Sequence, residues 1–359
     1  MSAAGGALVF TAVHMGPYQS IAPLETTLGV PTLWAVDGIA RRSRATRGQP
    51  FVDPESIETA GGAVAFLERA SARAVVRSTS DDVEGVNLED ALALGAAARE
   101  IPVLAVEDFP GNYRSAAGAR LDALCVETDA TAALHAERGV ARETIHVTGN
   151  PRYDELRRLD VAGRRDTVRR ELGLGDESVA LWVGQPDAND SFQTLQALLP
   201  ALRAAKATLL FRAHPRDRAY ADRRYAAMLD GAGGTMHDVT RAPDVAGLCC
   251  AADLVVTQFS SVAVEAGYLG TPALFVLLPD LGGAYIRKRK GYAIPPWCKE
   301  NCAFLLDDAK MAPVVVDGAM HDRDARETVR ANFARRYTTR PSSTGAVAAL
   351  VNQLSQRMR

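Results

Sequence analysis

The sequence predicts an α/β protein built from two consecutive doubly wound, parallel-sheet domains. Three observations carry that prediction. At 359 residues the chain exceeds the size at which a single hydrophobic core usually keeps growing. Short apolar runs alternate with longer segments of helical pattern, as expected of a parallel sheet covered by helices on both faces. The alternation breaks once, at Thr148-Gly149-Asn150-Pro151, and then starts again.

In the first half, strands are expected at Leu8–Val13, Pro31–Val36, Ala74–Arg77, Val103–Glu107, Ala123–Glu127 and Ile145–Thr148, with helices at Ser20–Thr27, Ile57–Ala70, Leu88–Arg99 and Ala130–Arg138. These give a Rossmann-like domain over residues 1–150. Residues 151–178 follow as an interdomain helical linker. Within it, the arginine-dense segment Asp154–Leu172 suits an exposed helix pair with a solvated face. The second domain, 179–340, has strands at Val179–Val183, Thr208–Arg212, Thr235–His237, Leu254–Val256, Ala273–Leu278 and Phe304–Leu306. A closing helix in 341–359 can cross back to the first domain. Two such domains are expected to face each other across a cleft, because ligands of doubly wound sheets sit at the carboxyl ends of the strands.

Composition narrows the partners. Hydrophobic residues make up 47% and charged residues 23%, ordinary values for a soluble globular protein. A formal charge of -2 gives no footprint for nucleic acid. No apolar run approaches the roughly 20 residues that span a bilayer, and the amino terminus lacks the basic region of a signal peptide. The expected location is the cytoplasm. The five cysteines, with Cys249 and Cys250 adjacent and Cys298 and Cys302 lacking nearby histidines, read as buried reduced thiols rather than a metal site.

The second domain is organised around Asp253–Leu278. A buried strand ends in the polar turn Thr257-Gln258-Phe259-Ser260-Ser261, a serine-capped helix carries Glu265, and Gly270 and Pro272 stop that helix before the next strand. Backbone N–H groups of Ser260, Ser261 and Val262 are expected to face a phosphate, and Glu265 to accept hydrogen bonds from vicinal hydroxyls of a ribose or sugar. An ordinary capped helix with a solvated glutamate fits this stretch alone equally well. The balance changes because Gly184 and Gln185 follow another strand, and Arg212 and His214 lie at the end of a third, with Pro215 restraining the loop.

The motifs "VTGNPRYDEL", "VGQP", "FRAHPRD" and "QFSSVAVEAGYLGTPAL" together resemble the superfamily of GT-B glycosyltransferases and UDP-N-acetylglucosamine 2-epimerases, and the related glycerophosphotransferases of wall-polymer synthesis. The resemblance implies the GT-B fold, with a nucleotide in the carboxyl-terminal domain. By position, Glu265 would hold the ribose hydroxyls, Ser260 and Ser261 the diphosphate, and His214 with Pro215 would lie near the base and phosphates. Fixed dipoles and Arg212 would stabilise a diphosphate leaving group without a metal. The implied activity is transfer of a sugar from a nucleotide-diphosphate sugar, a UDP-sugar first, to an acceptor in polysaccharide or natural-product biosynthesis, with no other cofactor. The alternatives are a non-hydrolysing 2-epimerase, a glycerophosphotransferase, and a non-catalytic nucleotide-sugar-binding partner protein. The chain departs from the epimerases at Gly184-Gln185-Pro186-Asp187 and at Ser260-Ser261 with its single Glu265, and both departures weigh against epimerisation.

The general base should then come from the first, acceptor-side domain. His14 follows the first strand, Asp37 the second, and Glu107 and Asp108 the fourth; His14 and Asp108 are the preferred catalytic residues. The basic run Arg287-Lys288-Arg289-Lys290 could meet a diphosphate or an anionic membrane surface, or form a solvated loop. No glycine-rich dinucleotide fingerprint, Walker loop or GxSxG elbow is present.

Overall fold

The computed structural model describes residues 6–80, 87–114, 116–186, 190–230 and 235–356. The chain folds as two compact units: Met1–Asp154 with Arg340–Arg359, and Glu155–Thr339. Each is an α/β unit with a six-stranded parallel sheet.

In the first unit the strands are β1 (Leu8–Ala12), β2 (Thr32–Val36), β3 (Ala74–Arg77), β4 (Val103–Val106), β5 (Ala123–Val126) and β6 (Ile145–Val147). Their order across the sheet is β2-β1-β3-β4-β5-β6. Every residue of β1 is buried, since both faces of a parallel sheet are covered. Leu8 and Phe10 enter one core with Trp34 and Val76, while Val9, between them, enters the opposite core with Phe66, Leu67 and Leu92. The helix Ser343–Gln356 contributes Val347, Val351 and Leu354 to the Phe10 core, which is why the end of the chain belongs to this unit. Burial of each such side chain stabilises by about 1.5–3 kcal/mol.

The second unit contains β7 (Val179–Val183), β8 (Thr208–Arg212), β9 (Met236–Asp238), β10 (Leu254–Thr257), β11 (Ala273–Val276) and β12 (Phe304–Leu306), in the order β12-β11-β10-β7-β8-β9. Trp182 and Phe211 pack on one face, and Leu181, Leu210 and Val255 on the other. In each sheet the chain moves outward in one direction and then returns to the other side of its first strand. The switch points lie between β1 and β3, and between β7 and β10, so polar loops following those strands share an edge.

Four local expectations are revised. The expected helix Ser20–Thr27 is instead a pair, Met15–Ile21 and Leu24–Thr27. Pro17 occupies the first turn of the earlier helix, where its missing N–H costs nothing, and the chain is helical directly after His14, from Met15. A helix at Gly38–Thr46 was not expected at all. In the arginine-dense segment, Arg165 and Arg169 do not lie on a solvated face. Arg165 donates to the carbonyls of Cys250, Ala251 and Ala252 and to Asp253, and the 8% exposed Arg169 donates to those of Gly175, Glu177 and Ala251. They satisfy the carbonyl end of the helix Val245–Ala251, on which the helix Val161–Glu171 packs. Finally, Arg287 to Lys290 form the last turn of the helix Gly282–Lys290, ended by Gly291 at φ 71°. Successive residues on a helix turn by about 100°, so the run is not a flat basic patch. Arg287 and Lys288 are exposed, whereas Lys290 is buried.

All five cysteines are free thiols. Among the described residues no helix is long and apolar enough to cross a membrane.

Candidate functional site

In the second unit, β10, β7 and β8 are consecutive neighbours, so the loops bearing Ser260, Gly184 and His214 emerge side by side from one sheet edge. They also bond to one another. Thr257 Oγ1 donates to Val183 O at 2.7 Å, and the Gly184 N–H donates to Arg212 O at 2.8 Å. Gly184 is closely surrounded: a Cβ there would stand 3.2 Å from Ser191 Oγ, 3.3 Å from Arg212 O and 3.4 Å from the His214 nitrogen. The Gln185 N–H donates to Ser191 Oγ at 3.1 Å, joining the residues after β7 to the first residue of the helix Ser191–Ala204. Asp187 lies outside the described residues.

After β10 the chain turns into the helix Val262–Tyr268. The cap differs from expectation in one respect: Ser260 Oγ accepts the Val262 N–H at 3.2 Å, so that amide is committed internally. Among the described residues the Ser260 and Ser261 amides have no acceptor, and these two remain available to an anion. Gln258 Nε2 donates to Thr194 Oγ1 at 2.9 Å and ties the turn to the helix after β7. A Cβ on Gly282 would come within 2.7 Å of Gln258 Nε2, so this glycine leaves room for the tie. Glu265 follows on the first turn of the helix.

His214 is half-buried, and its Nδ1 accepts the N–H of Arg216 at 3.1 Å. Burial, helped by the nearby Arg216 charge, pushes its pKa down to about 4. The ring is therefore neutral near pH 7 with its proton on Nε2, a donor suited to a phosphate oxygen. Arg212 directs Nη1 at the carbonyls of Val239, Thr240 and Ala242, at 3.2, 3.3 and 2.7 Å, and so anchors the loop after β9. Burial lowers its pKa, and Cys249 and Glu265 act in the opposite direction.

In the first unit, the edge at the switch point gathers His14 and Asp108. Ser80 Oγ accepts the N–H groups of both Val13 and His14 at 3.3 Å, and itself donates at 2.6 Å to Glu89, a fully buried carboxylate paired with Arg77. His14 is the residue before the helix Met15–Ile21, and its Nε2 is buried without a hydrogen-bond partner among the described residues. Asp108 Oδ1 accepts from Thr79 Oγ1 and Asn112 Nδ2, each at 2.8 Å. Its Oδ2 faces the start of the His14 helix, 3.0 Å from where a Cβ on Gly16 would be, and Arg152 Nη1 is 3.5 Å from the same point. The edge thus combines an imidazole, a carboxylate and a guanidinium.

Sequence reasoning did not select Thr79, Ser80, Asn112 or Arg152. The polar run Ser78-Thr79-Ser80 follows a strand just as the selected residues do, and that rule would have found Thr79 and Ser80. Among the described residues no cluster of histidine, cysteine and carboxylate side chains suits a metal ion.

Residues 114–300, more than half of the chain, match the family described as CDP-glycerol:poly(glycerophosphate) glycerophosphotransferase. No curated protein sequence matches. Solved structures match throughout the chain in fold. The UDP-GlcNAc 2-epimerase of Neisseria meningitidis, bound to UDP-GlcNAc, is 12% identical with a TM-score of 0.67, covering 98% of this chain and 100% of its own. The wall teichoic acid polymerase TagF, soaked with CDPG, is 16% identical with a TM-score of 0.58, covering 98% and 89%. The UDP-GlcNAc 2-epimerase of Methanocaldococcus jannaschii is 14% identical with a TM-score of 0.63, covering 96% and 99%. The fold is that of the GT-B proteins.

Proposed function

This chain belongs to the CDP-glycerol:poly(glycerophosphate) glycerophosphotransferase family, and from that premise we propose that it transfers a glycerophosphoryl group from a CDP-glycerol-type donor to a hydroxyl acceptor. The observation that carries the reading is the shared edge of β10, β7 and β8, where the amides of Ser260 and Ser261 and the neutral imidazole of His214 supply uncharged or partially charged donors for a diphosphate. Glu265, one turn into the helix, is assigned to the ribose hydroxyls. Residues of the first unit are assigned to the acceptor.

In the reaction, the imidazole of His14 takes the proton of the acceptor hydroxyl, and the freed oxygen attacks the phosphorus that bears glycerol. The bond from that phosphorus to the bridging oxygen breaks, and CMP departs with the electron pair. Its growing charge is met by the Ser260 and Ser261 amides and by Nε2–H of His214, donors whose orientation is set before the reaction begins. Asp108 stabilises the imidazolium formed at His14.

A second reading is favoured by the likeness in fold to an epimerase bound to UDP-GlcNAc: the same edge would hold a nucleotide sugar, and attack would fall on the sugar carbon with release of UDP. Incubation with CDP-glycerol or UDP-GlcNAc and a polyol phosphate acceptor, followed by ³¹P NMR, separates the two. CMP release supports the first reading and UDP release the second. If neither appears, and neither CDP nor UDP raises the melting temperature at millimolar concentration, the donor assignment fails.

A further inference from the structure

The acceptor-side edge is assembled by a residue that none of the catalytic roles uses. Asn150 is 1% exposed, and its side chain reaches two distant segments as well as capping the turn that follows it. Its Nδ2 donates to Ser20 Oγ at 3.1 Å and to Glu107 O at 3.2 Å, and its Oδ1 accepts the Arg152 N–H at 3.0 Å. Each connection leads to a group at the site. Ser20 Oγ donates in turn to Gly16 O at 3.2 Å, on the helix that begins after His14. Glu107 is the residue before Asp108. Arg152 brings its Nη1 to the Gly16 and Asp108 contact.

The Glu107 end is itself held firmly. Its Oε1 accepts from the Tyr113 N–H at 3.0 Å and lies 2.6 Å from Nε2 of the fully buried His135. The turn carrying Asp108 and Asn112 is thus clamped at its side chain by His135 and at its backbone by Asn150. An amide suits this place because it alone presents two donors and an acceptor in one plane. Aspartate would keep the acceptor and lose both donors, and alanine would leave the Glu107 carbonyl and Ser20 hydroxyl short of a partner in a buried setting.

We infer that Asn150 is a positioning residue, which sets the spacing of His14, Asp108 and Arg152 and thereby the geometry of proton transfer from the acceptor. The inference rests on the role proposed above for His14. In that setting a small displacement is costly, because a general base must lie within hydrogen-bond reach of the proton it takes.

The test compares the intact wild-type protein, Asn150→Ala, Asn150→Gln and the control Phe66→Leu, whose site lies in the core on the opposite face of the same sheet. Steady-state kinetics with CDP-glycerol, pH–rate profiles and an NMR titration of the His14 ring are measured for each. Asn150→Ala is expected to lower kcat about tenfold to a hundredfold, to leave the KM for the donor unchanged, and to move both the pH profile and the His14 titration. Phe66→Leu should lower the melting temperature without moving either. Asn150→Gln, a longer amide, should recover part of kcat. The inference is overturned if Asn150→Ala changes kcat no more than Phe66→Leu at equal loss of melting temperature, or if the His14 titration is the same in both. If the wild-type protein turns over neither donor, the proposed function fails while the His14 titration still decides the role of Asn150.

Discussion

Gly16 and Asp108 are fitted to each other: a Cβ at residue 16 would stand 3.0 Å from Asp108 Oδ2, while Oδ1 of the same carboxylate is held by Thr79 and Asn112. The glycine is not needed for backbone freedom, because residue 16 is helical. It is needed for space. Gly16→Ala should therefore preserve or slightly raise stability, since alanine favours a helix by up to about 1 kcal/mol over glycine. Activity should fall by about tenfold or more, because the carboxylate must move by a few tenths of an ångström against two hydrogen bonds. Melting temperature and kcat measured on one preparation would separate the effects. Unchanged kcat would remove Asp108 from the reaction.

Glu265→Ala should weaken nucleoside diphosphate binding by roughly 1.5–3 kcal/mol, on the order of 10- to 100-fold in Kd, the cost of hydrogen bonds to a charged group. Calorimetry with CDP and with 2′-deoxy-CDP sharpens the assignment. If Glu265 holds the ribose, removing the 2′-hydroxyl should weaken wild-type binding and change little in the variant. Additive losses would place Glu265 elsewhere.

His214 predicts a pH signature of stability. Its folded pKa, near 4, lies below the ordinary value of 6.5, so the unfolded chain binds the proton first as the pH falls. The contribution of the neutral ring is complete above about pH 6.5 and is lost progressively between there and about pH 4. Urea denaturation of wild type and His214→Gln at pH 7.5 and pH 4.5 checks this. The difference in stability between them should shift toward the variant at the lower pH, and a difference independent of pH would contradict the neutral, buried imidazole.

Asp154 caps the helix that returns to the first unit, accepting from Ser342 Oγ and from the Ser343 and Thr344 amides at 3.0, 3.0 and 2.8 Å. Burial raises its pKa, but these hydrogen bonds outweigh that effect and hold the carboxyl below its usual range. Asp154→Asn should cost about 1–2 kcal/mol, the worth of a strong helix cap. A depressed carboxylate stabilises above its unfolded pKa and loses that effect as the pH falls through the folded value. The penalty of the variant should therefore shrink in acid. Denaturation curves at neutral pH and below pH 4 would show it, and a penalty that grows in acid would refute the cap.

Much of this was legible from local pattern. The runs at Leu8, Ala74, Val179 and Leu254 mark strands because a strand buried on both faces must be largely apolar, and the polar turns after them mark the sheet edge. The clamps made by Arg165 and Arg169 were not legible. Their partners include backbone carbonyls of Cys250 to Ala252, more than 80 residues away, and carbonyls leave no trace in a sequence. The role of Asn150 was hidden for the same reason, since two of its partners come from Ser20 and Glu107.

Taken alone, the order of residues determined the alternation of strand and helix, the parallel sheets, and the polar groups offered at each strand end, all consequences of short-range periodicity and punctuation. Tertiary structure decided which strand ends are neighbours. Setting β10 beside β7, and β3 beside β1, brings Thr257 to Val183 and Ser80 to His14. Strand order is settled by which helical faces close the two cores of each sheet, a competition among residues distant in the chain, and no local segment contains its outcome.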